Sequence, residues 1–320
     1  MRGFFICGLL TACPVACSGE LLTSGLDQPV SIRDAQFKKG ELPGVSATLD
    51  AGTALTPPLI TSLSYKGRIV SAGEPDVPFT GRASLDAAAL GVKLKNAGTG
   101  YWLLPVGAAD FTNNGEFQWT ATTTFSGNAP VGLQDLLFVA IDSTGRGGTQ
   151  TDLPICIAAT IPDNLNGCDP KRKPPAVVVS LSWDTQVDLD LEVVTPDGKT
   201  VDAKHPTSAL TSDAGVTTPT SDDGALDVDS NVGCTLGPLR ETLVWQTAPR
   251  PGRYLVYANL FDSCGLASVR YNVLIRVLSP GDVPGTYKTT DTYRSSGSLS
   301  AAQANGGSQI GTFVTEFTQL

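Results

Sequence analysis

The chain has 320 residues, with 22 Lys and Arg against 31 Asp and Glu and a formal net charge of −9. That balance argues against nucleic acid, because phosphate binding needs clustered Lys and Arg, and it suits divalent cations or simple solubility. Only 17% of residues are charged, while 34 Gly and 22 Pro punctuate runs of Val, Thr and Ser. This mix predicts an all-β chain of short strands and tight turns, long enough for two domains.

Residues 1–17 read as a signal peptide. Arg2 precedes an apolar run at 3–12 that is too short to span a bilayer as a permanent helix. Leu10-Thr11-Ala12-Cys13 resembles a bacterial lipobox, which implies cleavage before Cys13 and its lipidation. Cys17 is the alternative lipidation site, and an ordinary secretory signal cut a few residues later is the rival reading. The expected location is the bacterial cell envelope, as a membrane-anchored lipoprotein on the periplasmic or surface face, with secretion as the alternative. Its lipid anchor makes the membrane a partner. An exported chain permits disulfides. The four distal cysteines allow three connectivities, and the local one, Cys156–Cys168 with Cys234–Cys264, staples within single regions.

After a polar tether at 18–27, a first domain is expected over 28–157. Residues 30–32, 45–49 and 91–95 alternate apolar and polar as half-buried strands do. Residues 60–70 read as a hairpin turning at Lys66-Gly67, and 101–106 as a more apolar strand. Asn113-Asn114-Gly115 marks a turn before a strand at 116–125. The run LFVAIDSTGRGG, residues 137–148, resembles the closing hairpin of bacterial Ig-like domains. The resemblance implies an Ig-like β-sandwich, a fold used as a spacer or adhesive module.

Residues 158–175 have linker composition, with Pro162, Pro170, Pro174 and Pro175 and the basic cluster Lys171-Arg172-Lys173. The cluster reads as a solvated hinge, with contact to anionic lipid as the alternative. A second domain is expected over 176–278, with strands at 177–183, 188–194, 243–245, 253–260 and 268–278 and a long loop at 204–224. Residues 279–320 read as a loose, Ser/Gly/Thr-rich segment with one final strand at 310–317.

Four ordered blocks carry a second resemblance: LSWDTQVDLDLEVVTPDG (181–198), LDVDSNVGC (226–234), GPLRETLVW (237–245) and APRPGRYLVYANLFDSCG (248–265). They resemble the YfaP-like family of uncharacterised bacterial exported proteins. The resemblance implies a jelly-roll or Ig-like sandwich and brings no chemistry with it. Where that family often has His after Asp-Leu, this chain has Glu192, which removes a nitrogen donor.

The same blocks hold the candidate site. Asp188 and Asp190 share one side of their strand, because side chains alternate. Asp227, Asp229 and Asn231 have the D-x-D-x-N spacing of a calcium loop. An EF-hand is excluded, since Val232 replaces the turn Gly, Pro238 replaces the closing Glu, and no helix flanks the loop. A sandwich-edge calcium site would draw on Asp184, Asp188, Asp190, Asp227, Asp229, Asn231 and Glu241. In the rival reading these acids face solvent, cap turns or pair with Arg240 and Arg253. His205 is the single histidine, without a nucleophile-elbow motif beside it, and all four Trp fall in strand patterns. The chain therefore reads as a non-enzyme: a binding or structural display module with calcium as its cofactor and an envelope protein or polysaccharide as partner. The alternative is a carbohydrate-binding module or a carbohydrate-active hydrolase using the acidic cluster.

Overall fold

The computed structural model describes residues 25–44, 56–65, 67, 69–110, 112, 115–210 and 217–320. The lipidation candidates Cys13 and Cys17, the strand at 45–49, Lys66, and Asn113-Asn114 lie outside the described residues. Within them every regular element is a strand, apart from two 3-10 turns at Val232–Cys234 and Ala301–Gln303. The chain is all-β, and its strands form four sheets that pair into two sandwiches.

The first sandwich takes β1 (Val30–Ile32), β2 (Gln36–Lys39), β3 (Ile60–Ser64), β4 (Ile69–Ser71), β5 (Val77–Ala83), β6 (Ala87–Leu94), β7 (Gly100–Pro105), β8 (Ala109–Asp110), β9 (Glu116–Phe125), β10 (Gly132–Asp142) and β11 (Thr151–Ala158). One sheet has the order β1-β9-β5-β3, with β8 on β9; the other runs β2-β7-β6-β10-β11-β4. Phe79, Leu90, Trp119, Phe125, Phe138 and Ile155 fill the space between them. The hairpin expected at 60–70 does not form. β3 pairs with β5 in one sheet, while β4 runs parallel to β11 in the other. The segment crosses between sheets because Val70 must face the core on one side and Leu63 on the other.

The turn after β10 shows how a short sequence fixes a strand end. Asp142 Oδ1 accepts from the backbone N–H groups of Thr144 and Arg146 at 2.9 and 3.0 Å, and Oδ2 accepts from Arg146 Nε at 2.8 Å. Burial pushes this carboxyl upward, but the hydrogen bonds from Thr144 and Arg146 outweigh it and hold Asp142 well below the usual range. The stabilisation is complete above the unfolded-chain value of about 3.9 and is lost as pH falls through the lower folded-state value. Asp142→Ala is expected to cost about 1–3 kcal/mol at neutral pH, read by chemical denaturation, and to cost progressively less in acid.

The second sandwich takes β12 (Val177–Trp183), β13 (Asp188–Val194), β14 (Thr200–Val201), β15 (Gly224–Leu226), β16 (Arg240–Trp245), β17 (Gly252–Asp262), β18 (Ser268–Pro280), β19 (Tyr287–Ser300) and β20 (Thr312–Gln319). Its sheets are β15-β16-β12-β18-β19 and β14-β13-β17-β20. Alternate residues of β12 (Val177, Val179, Leu181, Trp183) meet Leu189, Leu191 and Val193 of β13 and Tyr254, Val256 and Ala258 of β17 in the core.

Residues 279–320 are not loose. β19 pairs with β18 over its whole length, and β20 pairs with β17. Both are edge strands, so one face of each stays polar and the apolar signal is thin: Tyr293 and Leu299 in β19, Val314 and Phe317 in β20. The Pro-rich stretch at 158–175 is also tied down. Cys168 is bonded to Cys156 of β11, with Cα atoms 5.6 Å apart. Tyr287 N donates to Pro170 O at 2.7 Å, and the buried Asn166 donates to Tyr287 O at 3.0 Å. Lys171, Arg172 and Lys173 are exposed.

Candidate metal centre

Strand β13 organises the site. Its alternation sends Leu189, Leu191 and Val193 into the core and Asp188, Asp190 and Glu192 to the opposite face. That face is covered by loops around 202–205, 229–233 and 307–310, which enclose a cavity of about 600 Å³. Asp188, Asp190 and Glu192 are accordingly only 4, 7 and 6% exposed.

Glu241 reaches this face from the other sheet. β14 covers the edge of β13 only at Val193 and Val194, leaving Leu191 N–H without a strand partner there. Glu241, completely buried, takes it: Leu191 N donates to Oε2 at 2.7 Å and Ser230 N to Oε1 at 3.0 Å. Gly233 N donates to Asp188 Oδ2 at 2.8 Å, and Ser230 Oγ donates to Arg240 O at 2.7 Å. The Cys234–Cys264 disulfide fastens the end of the same loop to the turn between β17 and β18, its Cα atoms 5.7 Å apart. These ties hold Asp229 over the strand. Oxygens of Asp190, Asp229 and Glu241 lie within 4.8 Å of one another.

No described basic side chain forms an ion pair with Asp188, Asp190, Glu192, Asp229 or Glu241. Burial and mutual repulsion therefore dominate, with Lys204 pulling only Glu192 partly back. Burial, then Asp188 and Asp229, pushes Asp190 up to about 7. Burial pushes Glu241 up to about 9, with Asp190 and Asp229 adding to the rise against the two N–H donors. Asp188 rises mainly through burial as well; Asp229, exposed on the rim of the cavity, rises through partial desolvation, and a hydrogen bond with Glu241 pulls it partly back. Among these carboxyls the hydrogen bond is between Asp229 and Glu241, and Asp190 stands beside them without one.

Of the residues singled out by sequence, Asp188, Asp190, Asp229 and Glu241 converge. Asp184 does not: it is exposed, and its Oδ1 accepts from Arg270 N at 3.0 Å, a backbone cap. Asp227 is exposed and lies beside Arg240, outside the cavity lining. Asn231 lies outside the cavity lining; its amide nitrogen donates to Gln186 Oε1 at 2.6 Å, while its Oδ1 is buried without a partner among the described residues. Of the D-x-D-x-N run only Asp229 joins the three-carboxylate grouping, and the 3-10 turn at Val232–Cys234 follows it. Arg253 pairs with Glu316 at 3.5 Å, leaving the acids of β13 untouched.

Several neighbours lay outside the candidate ligand set. Glu192 continues the period-two pattern of Asp188 and Asp190. Its Oε1 accepts from Asn259 Nδ2 and its Oε2 from Gly311 N, both at 2.7 Å, so it fastens the loop at 305–311. Asp202 lines the cavity beside the exposed His205, whose Nδ1 lies 3.1 Å from Asp202 Oδ1. Phe261 is the extra residue of a β-bulge, since Asp188 pairs with Asp262 and Leu189 with Leu260. The bulge turns its ring into the cavity wall. Trp183 and Trp245 are core residues, 6 and 1% exposed.

The donor set is all oxygen, without His or free thiolate, which matches a hard divalent cation and excludes soft-metal chemistry. A second acidic grouping, Asp262 with Cys234 and Cys264, has both sulfurs committed to the disulfide. No protein-family model and no curated protein matches the chain.

Proposed function

We propose that the chain is an exported, lipid-anchored cell-envelope protein serving as a binding or structural display module. Calcium held by Asp190, Asp229 and Glu241, with Asp188 adjoining, stabilises its second sandwich. The observation that carries the metal is the convergence of three carboxylates from β13, β16 and the intervening loop within 4.8 Å, with no ion pair to any of them. A cation that accepts six to eight oxygens in flexible geometry removes the repulsion between them. Two disulfides fit an oxidising compartment. No helix among the described residues is long and apolar enough to cross a membrane, and the anchor rests on the lipobox resemblance at Cys13 or Cys17.

The test is thermal unfolding in calcium and in chelator. At calcium about a hundredfold above the dissociation constant, native-state binding contributes about 2.7 kcal/mol. For a unit of this size that raises the midpoint by about 5–10 °C. An unchanged midpoint at millimolar calcium rejects the metal. Mass spectrometry of the mature N-terminus decides the anchor: an unmodified end beyond Cys17 rejects it.

A further inference from the structure

The cavity continues beyond the carboxylates, and its volume of about 600 Å³ falls among small-molecule sites. Asp190 lines it at 7% exposure, and no described group donates a hydrogen bond to it or pairs with it. A buried carboxylate with all its acceptor capacity unspent points to something that enters from the cavity. We propose that this cavity takes a neutral, hydroxyl-rich ligand, a saccharide presenting a vicinal diol, whose oxygens complete the coordination of the cation held by Asp190, Asp229 and Glu241. The inference rests on the calcium reading above.

Two observations select this class. The first is the coordination shell. Glu241 already accepts from Leu191 and Ser230, and Asp188 from Gly233. Those oxygens have less capacity left for the six to eight contacts calcium takes, and the vacancies face the cavity. The second is charge. Four carboxylates outweigh one divalent cation, and Asp202 adds to the excess. Lys204, whose Nζ donates to Gly307 O at 2.6 Å, returns one positive charge, and His205 lies against Asp202, so the carboxylates still outweigh the cations. A phosphate or carboxylate ligand would meet net negative potential, whereas paired hydroxyls bring oxygen donors without charge. The lining also holds apolar groups: Phe261, Val232 and Ile310, the last two 52 and 49% exposed. An aromatic ring and half-exposed aliphatic groups in the lining fit the C–H face of a pyranose.

The experiment is an NMR titration of the full mature chain with methyl mannoside, methyl fucoside and methyl galactoside, in calcium and in chelator. Methylammonium serves as an amine control. At least one glycoside is expected to bind at millimolar affinity in calcium and about tenfold or more weaker in chelator. Phe261→Ala is expected to weaken the glycoside about five- to tenfold while the calcium-induced rise in melting temperature persists. A calcium response with no glycoside binding overturns the inference and leaves the calcium reading standing. Glycoside binding indifferent to chelator overturns the cation bridge. Methylammonium binding that calcium displaces, without glycoside binding, assigns the cavity to organic cations instead. No calcium response overturns both readings.

Discussion

A chain ended after Pro280 loses its second sandwich. β19 and β20 are absent from such a chain, and each completes one of the two sheets. Phe317 of β20 stacks on Tyr254 with ring centroids 4.8 Å apart and planes 8° apart, and both rings meet Trp245 edge-on. Leu299 of β19 is 2% exposed. Fully burying a large apolar side chain contributes about 1.5–3 kcal/mol; Leu299 is buried and the half-buried Phe317, Val314 and Tyr293 each add part of that, so losing all four removes a large share of the roughly 5–15 kcal/mol a domain has. The cut also bares the edges of β17 and β18 and deletes Gly311 N–H, one of the two donors that satisfy Glu192. The shortened chain is expected to show loss of the near-ultraviolet signal of Trp183 and Trp245 and rapid proteolysis after residue 176, with the first sandwich intact. A soluble fragment with both tryptophans in native environments would mean that residues 281–320 are dispensable.

That stretch also marks the limit of what the sequence discloses. β12, β13 and β17 declare themselves because one face is packed with Val, Leu and Tyr at period two and the other is not. β19 offers only Tyr293 and Leu299 to the core, among Ser, Thr and Gly that suit a loop equally well. Its strand state comes from thirteen register pairs with β18, a non-local cause. The site divides in the same way. Asp188 and Asp190 follow from alternation alone. Glu241 is offered by the sequence as one more acid beside the loop, but its meeting with Asp190 follows only from β16 lying against the uncovered edge of β13, because its burial comes from bridging two sheets. Asp184 and Asp227 share the composition of the cluster but sit at strand ends where backbone N–H groups or Arg240 occupy them. Spacing along the chain identifies which acids are near one another in sequence; the register of four strands decides which oxygens meet.

Asp190→Asn should move apo stability and calcium response in opposite directions. Asp190 has no hydrogen bond to lose, unlike Glu241 and Glu192, so an isosteric amide removes charge without orphaning a donor. Without metal, the wild-type carboxylate is buried beside Asp188, Asp229 and Glu192 with no cation. Relieving that is expected to stabilise the chelator-treated protein by about 1–3 kcal/mol at pH 8, the range for an unsatisfied buried polar group. With metal, the same substitution deletes an anionic donor, and the calcium-induced rise in midpoint should fall to a small fraction of the wild-type value. Glu241→Ala supplies the contrast. It abandons Leu191 N–H and Ser230 N–H, each costing about 1–3 kcal/mol when left buried and unpaired, and it also removes a donor, so it should weaken the protein in both conditions. Melting curves of the three proteins in calcium and in chelator separate the alternatives. A cluster that exists only to brace the loop would leave calcium without effect on any of the three proteins, whatever Asp190→Asn does in chelator. A cation site makes it the more stable protein in chelator and the less stable in calcium.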